Sequence, residues 1–327
     1  MKLHIRRVIR TVSIVFVMVT MLGFDVEAQE KRLAYLVSDL RIPFWSIMAR
    51  GITHKADQLG YQVLVYSAEN VARNELAYTV SAIEEGVDGI LISPTNSSAA
   101  ATILKLAERA NIPVVISDIG AKADNYVSYI ESDNFQGAYD LGKMLAQALH
   151  NNGWMKGSVG IIAIPQKRAN GKARTEGFLQ ALEEHGVKSA GLYQQSDFSY
   201  RETYEFTRRL IEDNPTLRAV WLQGSDRYQG ALDAISEAGK SGEILLICFD
   251  AEPEFVNMID QGTLVGAGMQ QPFLMGEKAV ETMHRHLAGQ TVDKLQQLPV
   301  LTVSEDNLQQ LLPVIHRNVL GKLPEGN

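Results

Sequence analysis

The stretch Leu33-Ala-Tyr-Leu-Val-Ser38, followed by Asp39-Leu-Arg-Ile-Pro-Phe-Trp45, decides how the chain is read. A short apolar run of strand length stops at Ser38. The next residues carry one acid and one base. Pro43 then opens a helix, because its fixed φ suits the first helical position, where a missing N–H costs nothing. Phe44 and Trp45 sit at the mouth of that helix. In an open parallel sheet, ligands bind beyond the carboxyl ends of the strands, in the loops that lead into helices. Read this way, Ser38, Asp39 and Arg41 offer hydrogen bonds and the two aromatics offer a flat apolar face. The alternative is that Phe44 and Trp45 only plug the helix onto the sheet.

The same unit repeats downstream. Tyr61–Tyr66, Asp88–Ser93 and Pro113–Asp118 read as strands, and Asn74–Glu85 and Ser98–Ala110 as the helices between them. Strands alternating with helices of this length make βαβ units and a parallel sheet. After a strand at Tyr126–Glu131 the pattern starts again. Helices are expected at Asn134–His150, Arg174–His185, Arg201–Asn214 and Arg227–Ala238. Strands are expected at Gly157–Ile164, Gly191–Gln195, Arg218–Leu222 and Ile244–Phe249. This predicts an α/β fold of two units with a break near residue 132. Beyond it come a Gly-containing strand at Leu264–Met269, a helix at Phe273–Ala288, a strand at Leu298–Val303 and a last helix at Leu308–Arg317, kinked by Pro313.

The amino terminus is a different material. Lys2, Arg6, Arg7 and Arg10 precede an uncharged run from Thr11 to Phe24, and Val26-Glu-Ala28 offers small residues at the positions a signal peptidase reads. Residues 1–28 read as a secretory signal peptide cleaved after Ala28, which sends the mature chain to the periplasm. The run is short of the ~20 residues of a membrane-spanning helix, the competing reading. The 327 residues leave room for two domains, and a net charge of −7 argues against a nucleic-acid partner. The single cysteine, Cys248, lies in an apolar run and reads as a buried small hydrophobe. No zinc spacing, phosphate loop or G-x-S-x-G elbow appears. Ala169-Asn-Gly-Lys172 lacks the rest of a phosphate loop. No cofactor and no enzymatic activity are expected.

The stretches Leu33–Trp45, Ala56–Tyr61, Asp88–Asn96, Ala110–Val115, Glu131–Asn134, Arg174–Phe178 and Phe249–Asp250 come in one order with regular spacing. Together they resemble the pentose- and hexose-binding type I periplasmic binding proteins over about residues 31–290. The resemblance implies two Rossmann-like lobes with parallel-sheet cores, joined by three hinge crossings and closing on a sugar in the cleft. It implies crossings near Ser132-Asp133, Gln270-Gln271 and Val303-Ser304. The first lobe would then be 29–132 plus about 271–303, the second 133–270 plus about 304–318, and the tail 319–327. Ser38, Phe44, Trp45, Asp118, Arg174, Phe198, Phe249, Asp250 and Gln270 match ligand-contacting positions, and Ser93 stands where an asparagine would. Ile42, Ile119 and Gly224 also depart from the ribose-binding pattern, so a sugar other than ribose, or a furanosyl signal molecule, is expected. The partner implied is the permease of an ABC importer, or else a membrane sensor kinase or chemoreceptor. The amphipathic tail helix offers a surface for a partner contact, but packing back on the first lobe is the expectation preferred here.

Overall fold

The computed structural model describes residues 31–323. The opening strand, β1 (Lys31–Val37), is buried on both faces from Leu33 to Val37, as a central parallel strand must be. The first lobe continues through α1 (Pro43–Leu59), β2 (Tyr61–Ser67), α2 (Ala72–Glu84), β3 (Gly89–Ser93), α3 (Ser97–Arg109), β4 (Val114–Ser117) and β5 (Ser128–Ser132). The second lobe comprises α4 (Asn134–Asn151), β6 (Ser158–Ala163), α5 (Ala169–Glu184), β7 (Lys188–Gln194), α6 (Tyr200–Asp213), β8 (Leu217–Leu222), α7 (Tyr228–Glu237), β9 (Leu245–Phe249), α8 (Phe255–Asp260) and β10 (Gly266–Met269). The chain then returns to the first lobe as α9 (Pro272–Leu287) and β11 (Leu295–Leu298), and crosses back as β12 (Leu301–Ser304) and α10 (Glu305–Val314).

Each lobe holds a six-stranded sheet. The orders are β11-β5-β4-β3-β1-β2 and β12-β10-β9-β8-β6-β7. Pairing is parallel from β11 through β5, β4 and β3 to β1 and from β10 through β9, β8 and β6 to β7, whereas β12 runs antiparallel to β10 with Gly266 opposite Ser304. The two lobes use the same device to seat a helix pair. A Cβ at Gly51 of α1 or Gly276 of α9 would strike the backbone of the other helix, and Gly177 of α5 stands in the same relation to α4 at Phe135. Without those side chains the helices approach closely enough to cover one sheet face as a unit. Residues from Arg32 onward form one compact unit, and every strand-to-helix loop that follows a parallel strand opens at one edge of its sheet.

Two expectations need correction. The strand expected at Leu298–Val303 is two strands in different sheets, divided at Pro299, which has no N–H to give a ladder. The third crossing therefore lies at Pro299-Val300 and not at Val303-Ser304, so Leu301–Val303 belong with the second sheet. Pro313 does interrupt the last helix. Beyond it Ile315–Val319 make a π-helical turn, with Leu320 N–H donating to Ile315 O at 2.9 Å.

The tail touches both lobes. Leu308, Ile315, Val319 and Leu320 are buried in the second lobe's apolar core. Arg317 meets Glu277 of α9 through both carboxylate oxygens, and Arg50 of α1 donates to the carbonyls of Leu320 and Gly321 at 2.9 and 3.1 Å. Among the described residues no helix is long and apolar enough to cross a membrane. The signal-peptide reading of residues 1–28 lies outside the described residues.

Candidate functional site

The two sheets present their strand-to-helix loops to each other across a cleft of about 610 Å³. Its inner end narrows to a cavity of about 70 Å³ lined from both sides. The first lobe supplies Ile42, Phe44 and Trp45 from the β1–α1 loop and Asp118 from the end of β4. The second supplies Ile164, Arg168, Asn170 and Arg174 around the start of α5, Phe198 before α6, Gly224 and Asp226 after β8, Asp250 after β9, and Gln270 after β10.

Arg174 anchors the polar end. It is 2 % exposed. Its Nε donates to Asn134 Oδ1 at 2.8 Å, one Nη donates to Gln223 O at 2.7 Å, and the same nitrogen lies 3.5 Å from Asp250 Oδ2. The guanidinium stacks on the Phe249 ring at 3.9 Å. Gln270 Nε2 donates to the other Asp250 oxygen at 2.5 Å. Asp250 is thus held by two donors, yet burial raises its pKa above the ordinary carboxylate value, with Arg174 pulling the other way. Asp118 faces this cluster and is buried at 3 % exposure. Burial, against the pull of Arg174, pushes its pKa up to about 6.

Three acceptors of this cavity make no hydrogen bond among the described residues, and while Asp226 Oδ2 is answered by its ion pair with Arg227, Asp118 Oδ1 and Gln270 Oε1 have neither. A buried acceptor without a donor costs free energy, so a hydroxyl donor offered to either would be favourable. Phe44 and Trp45 supply the apolar counterpart, meeting edge to face with ring centres 4.9 Å apart. Asp118, Phe198 and Asp250 all hold left-handed backbone, with φ of +65°, +55° and +70°. Arg227 Nε, which donates to Phe198 O, helps fix that turn, and Arg227 also pairs with Asp226 at 2.5 Å.

Of the residues expected from sequence, Phe44, Trp45, Asp118, Arg174, Phe198, Asp250 and Gln270 line the cavity. Ser38, Ser93 and Phe249 do not. Ser38 Oγ donates to Ser93 O at 3.1 Å, and Ser93 Oγ meets Tyr35 Oη at 3.0 Å, so both hydroxyls are used between β1 and β3. Phe249 is fully buried and acts as the platform beneath Arg174. Asp39 and Arg41 pair with each other at 2.7 Å in the outer cleft, which holds Asp39 below the usual carboxylate range. Sequence reasoning missed Ile164, Arg168, Asn170 and Asp226. The signal was available: each follows the end of β6 or β8, where the loop rule already pointed. Cys248 is buried, and burial raises its thiol well above the ordinary value. Among the described residues no group of His, Cys, Asp and Glu could hold a metal ion.

A cleft between two parallel-sheet lobes, with aromatics from the first lobe and one unpartnered acceptor from each lobe, defines a two-lobed binding protein for a small polar solute. Residues 33–291 match the family described as "Periplasmic binding protein domain", and the chain belongs to that family. It is 32% identical over 273 residues to the ribose import binding protein of Haemophilus influenzae, covering 84% of this chain and 91% of that one. It is also 32% identical to the ribose import binding protein of Escherichia coli, over 80% of this chain and 86% of that one. Among solved structures, a carbohydrate transporter solute-binding protein from Agrobacterium radiobacter in complex with D-arabinose superimposes with a TM-score of 0.80 at 23% identity. That match covers 89% of this chain and 99% of that one. A solute-binding protein from Actinobacillus succinogenes with bound D-allose gives 0.78 at 22%, covering 86% and 99%. These relatives are binding proteins of transport systems, and this chain is a binding protein and not an enzyme.

Proposed function

We propose that the chain captures a small sugar or sugar-like polyol in the periplasm and presents it to the permease of an ABC importer. The observation that carries the ligand class is the pair of buried, unpartnered acceptors, Asp118 Oδ1 and Gln270 Oε1, one from each lobe, in the same cavity as Phe44 and Trp45. Vicinal hydroxyls satisfy the acceptors, and the C–H face of a sugar ring covers the aromatics. The charges of the lining offset one another. Asp250 is answered by Arg174, Asp226 by Arg227, and Asp118 feels both Arg174 and Arg168, so no excess charge calls for an ion in this cavity. Ligand contacts come from both lobes, so binding favours the closed arrangement by its differential affinity for it. Relatives named as import binding proteins for ribose, and solved structures holding arabinose and allose, support the transport reading. Of the ten positions expected from sequence, the seven that line the cavity would touch the sugar, and Ser38, Ser93 and Phe249 would act through their neighbours.

The mature chain is taken to begin at Gln29, after removal of residues 1–28. Mass spectrometry of the exported protein checks this. The ligand is tested by thermal shift against pentoses, hexoses, sugar alcohols and furanosyl compounds, on protein unfolded and refolded to strip carried-over ligand. A sugar at about 100 times its Kd adds about 2.7 kcal/mol, a rise of several degrees. Silence across the panel refutes the reading.

A further inference from the structure

Beside the sugar cavity the cleft extends into a second recess of about 470 Å³, which shares only Arg168 with it. Both lobes build its walls: Ser97, Lys122 and Glu131 from the first, Lys167, Arg168 and Lys172 from the second. The chain carries a net charge of −7, yet in this recess, among the described residues, four cations face one carboxylate. That carboxylate, Glu131, is occupied by Gln297 Nε2 at 3.3 Å. Lys172 reaches Glu176 at 3.6 Å along its own helix. Lys122, Lys167 and Arg168 form no ion pair among the described residues. Arg168 lies over the Phe198 ring at 5.6 Å, and its hydrogen bond to Thr95 O is long, at 3.5 Å. Lys122, Lys167 and Lys172 are exposed at the rim, whereas Arg168 is half-buried and is influenced by Asp118 without pairing with it, so Arg168 is the charge for which a closer partner is expected.

Two helix starts converge on the same space. Ser97 is the first residue of α3, where Asn96 Oδ1 already accepts from the Ser98 and Ala99 N–H groups, and Ala169 is the first of α5, whose start has no side-chain cap and is the more open of the two. Helix N-termini present free N–H groups and partial positive charge to anions. An independent sign points the same way. Ser97 is only 7 % exposed, lines the recess, and its Oγ has no hydrogen-bond partner. Lys122 N–H donates to Ser97 O at 2.9 Å, which keeps the Lys122 loop at that corner.

We infer that this recess binds a small oxyanion, either free inorganic phosphate or sulfate, or a phosphate or carboxylate carried by the sugar itself. An oxyanion accepts several charge-assisted hydrogen bonds at once, and here the donors come from both lobes. It therefore ties the lobes together as the sugar does. The charges of the inner cavity already offset one another, so the anion sits beside the sugar site and not within it.

The test uses the mature protein, refolded and dialysed free of oxyanions. Thermal melts are run with millimolar inorganic phosphate and, separately, with sodium chloride at matched ionic strength. Phosphate at about 100 times its Kd is expected to raise the midpoint by roughly 5–10 °C, and chloride to leave it nearly unchanged. The variant Lys122→Gln/Lys167→Gln, which alters neither the sugar cavity nor a core residue, is expected to melt like wild type in chloride and to lose the phosphate response. Equal responses to phosphate and chloride overturn the inference, and so does an undiminished response in the variant. Calorimetry with ribose 5-phosphate, ribose and inorganic phosphate then separates the sources. Tighter binding of the phosphosugar than of either part places the anion on the ligand, and binding of inorganic phosphate alone makes it a separate effector. If no sugar binds but phosphate does, the sugar reading falls and this one stands.

Discussion

Replacing Arg174 with alanine tests the polar end of the cavity most directly. The side chain answers three buried acceptors: Asn134 Oδ1 at 2.8 Å, Gln223 O at 2.7 Å and Asp250 Oδ2 at 3.5 Å. Each stranded acceptor costs about 1–3 kcal/mol, and breaking a buried ion pair from one side costs about 3–5 kcal/mol in all. Asp250 can take up a proton, which trims the loss, because burial has already raised its pKa. The variant is therefore expected to lose about 3–5 kcal/mol of stability, on the order of 10 °C in Tm for a chain this size. Affinity for the best sugar of the panel should fall by about 2 kcal/mol, roughly 30-fold. Arg174→Lys keeps the charge without the planar fork and should fall between the two. Circular-dichroism melts and titration calorimetry at a temperature where the variant is folded give both quantities. Affinity within twofold of wild type would make Arg174 purely structural. An unchanged Tm would refute the buried-network argument itself.

Asp118→Asn removes a carboxylate whose pKa stands at about 6 in the folded chain against an ordinary 3.8. A raised carboxylate pKa means the folded state binds the extra proton, so this group's stability contribution is present below pH 4 and is lost as pH rises through 6. The variant should flatten the stability profile between pH 4 and 6 and gain up to about 3 kcal/mol at pH 7, while binding sugar more weakly; a profile parallel to wild type in urea titrations counts against it. Trp45 is the tryptophan of the cavity, whereas Trp221 is stacked on Phe178 at 3.8 Å inside the second lobe. Sugar should change the intrinsic fluorescence of wild type but not of Trp45→Phe, and a change that survives the substitution places the ligand elsewhere. Ile42→Asn puts an amide where the cavity now has an aliphatic wall. The ratio of ribose affinity to that of the best panel sugar should rise about 10-fold, and a fixed ratio in calorimetry removes Ile42 from specificity.

The alternation of strand and helix could be read from the chain because β1, β3, β6, β8 and β9 are continuous apolar runs, the mark of strands covered on both faces. The C-terminal strands could not be assigned this way. Leu295–Leu298 and Leu301–Ser304 are short and similar, and which sheet each joins is set by pairing with Tyr129–Ser132 and Gly266–Met269, far away in sequence. The site showed the same division. Phe44, Trp45, Asp118 and Asp250 stand at strand ends where the loop rule puts a ligand. Ser38 and Ser93 stand at such ends too, but their hydroxyls close a bond between neighbouring strands. Periodicity says nothing about which way a hydroxyl turns. The paired Arg317 and Glu277 across the hinge were equally invisible, since they lie on elements that meet only in the folded chain.

The left-handed backbone at Asp118 and Asp250 bears on how this binding site can change over generations. Few side chains tolerate φ near +65° or +70°; aspartate, asparagine and glycine do so most easily. The backbone therefore confines both positions to a narrow set of short polar residues, whatever selection asks of the ligand. Ile42 sits in ordinary extended conformation at φ −87°, and Ile164 and Gly224 carry no such restriction. A lineage that moves to a new sugar is free to redraw the outer side of the cavity one residue at a time. It inherits the hinge side almost unaltered, so descendants of this protein should diversify in what they exclude while sharing a demand for two adjacent hydroxyls.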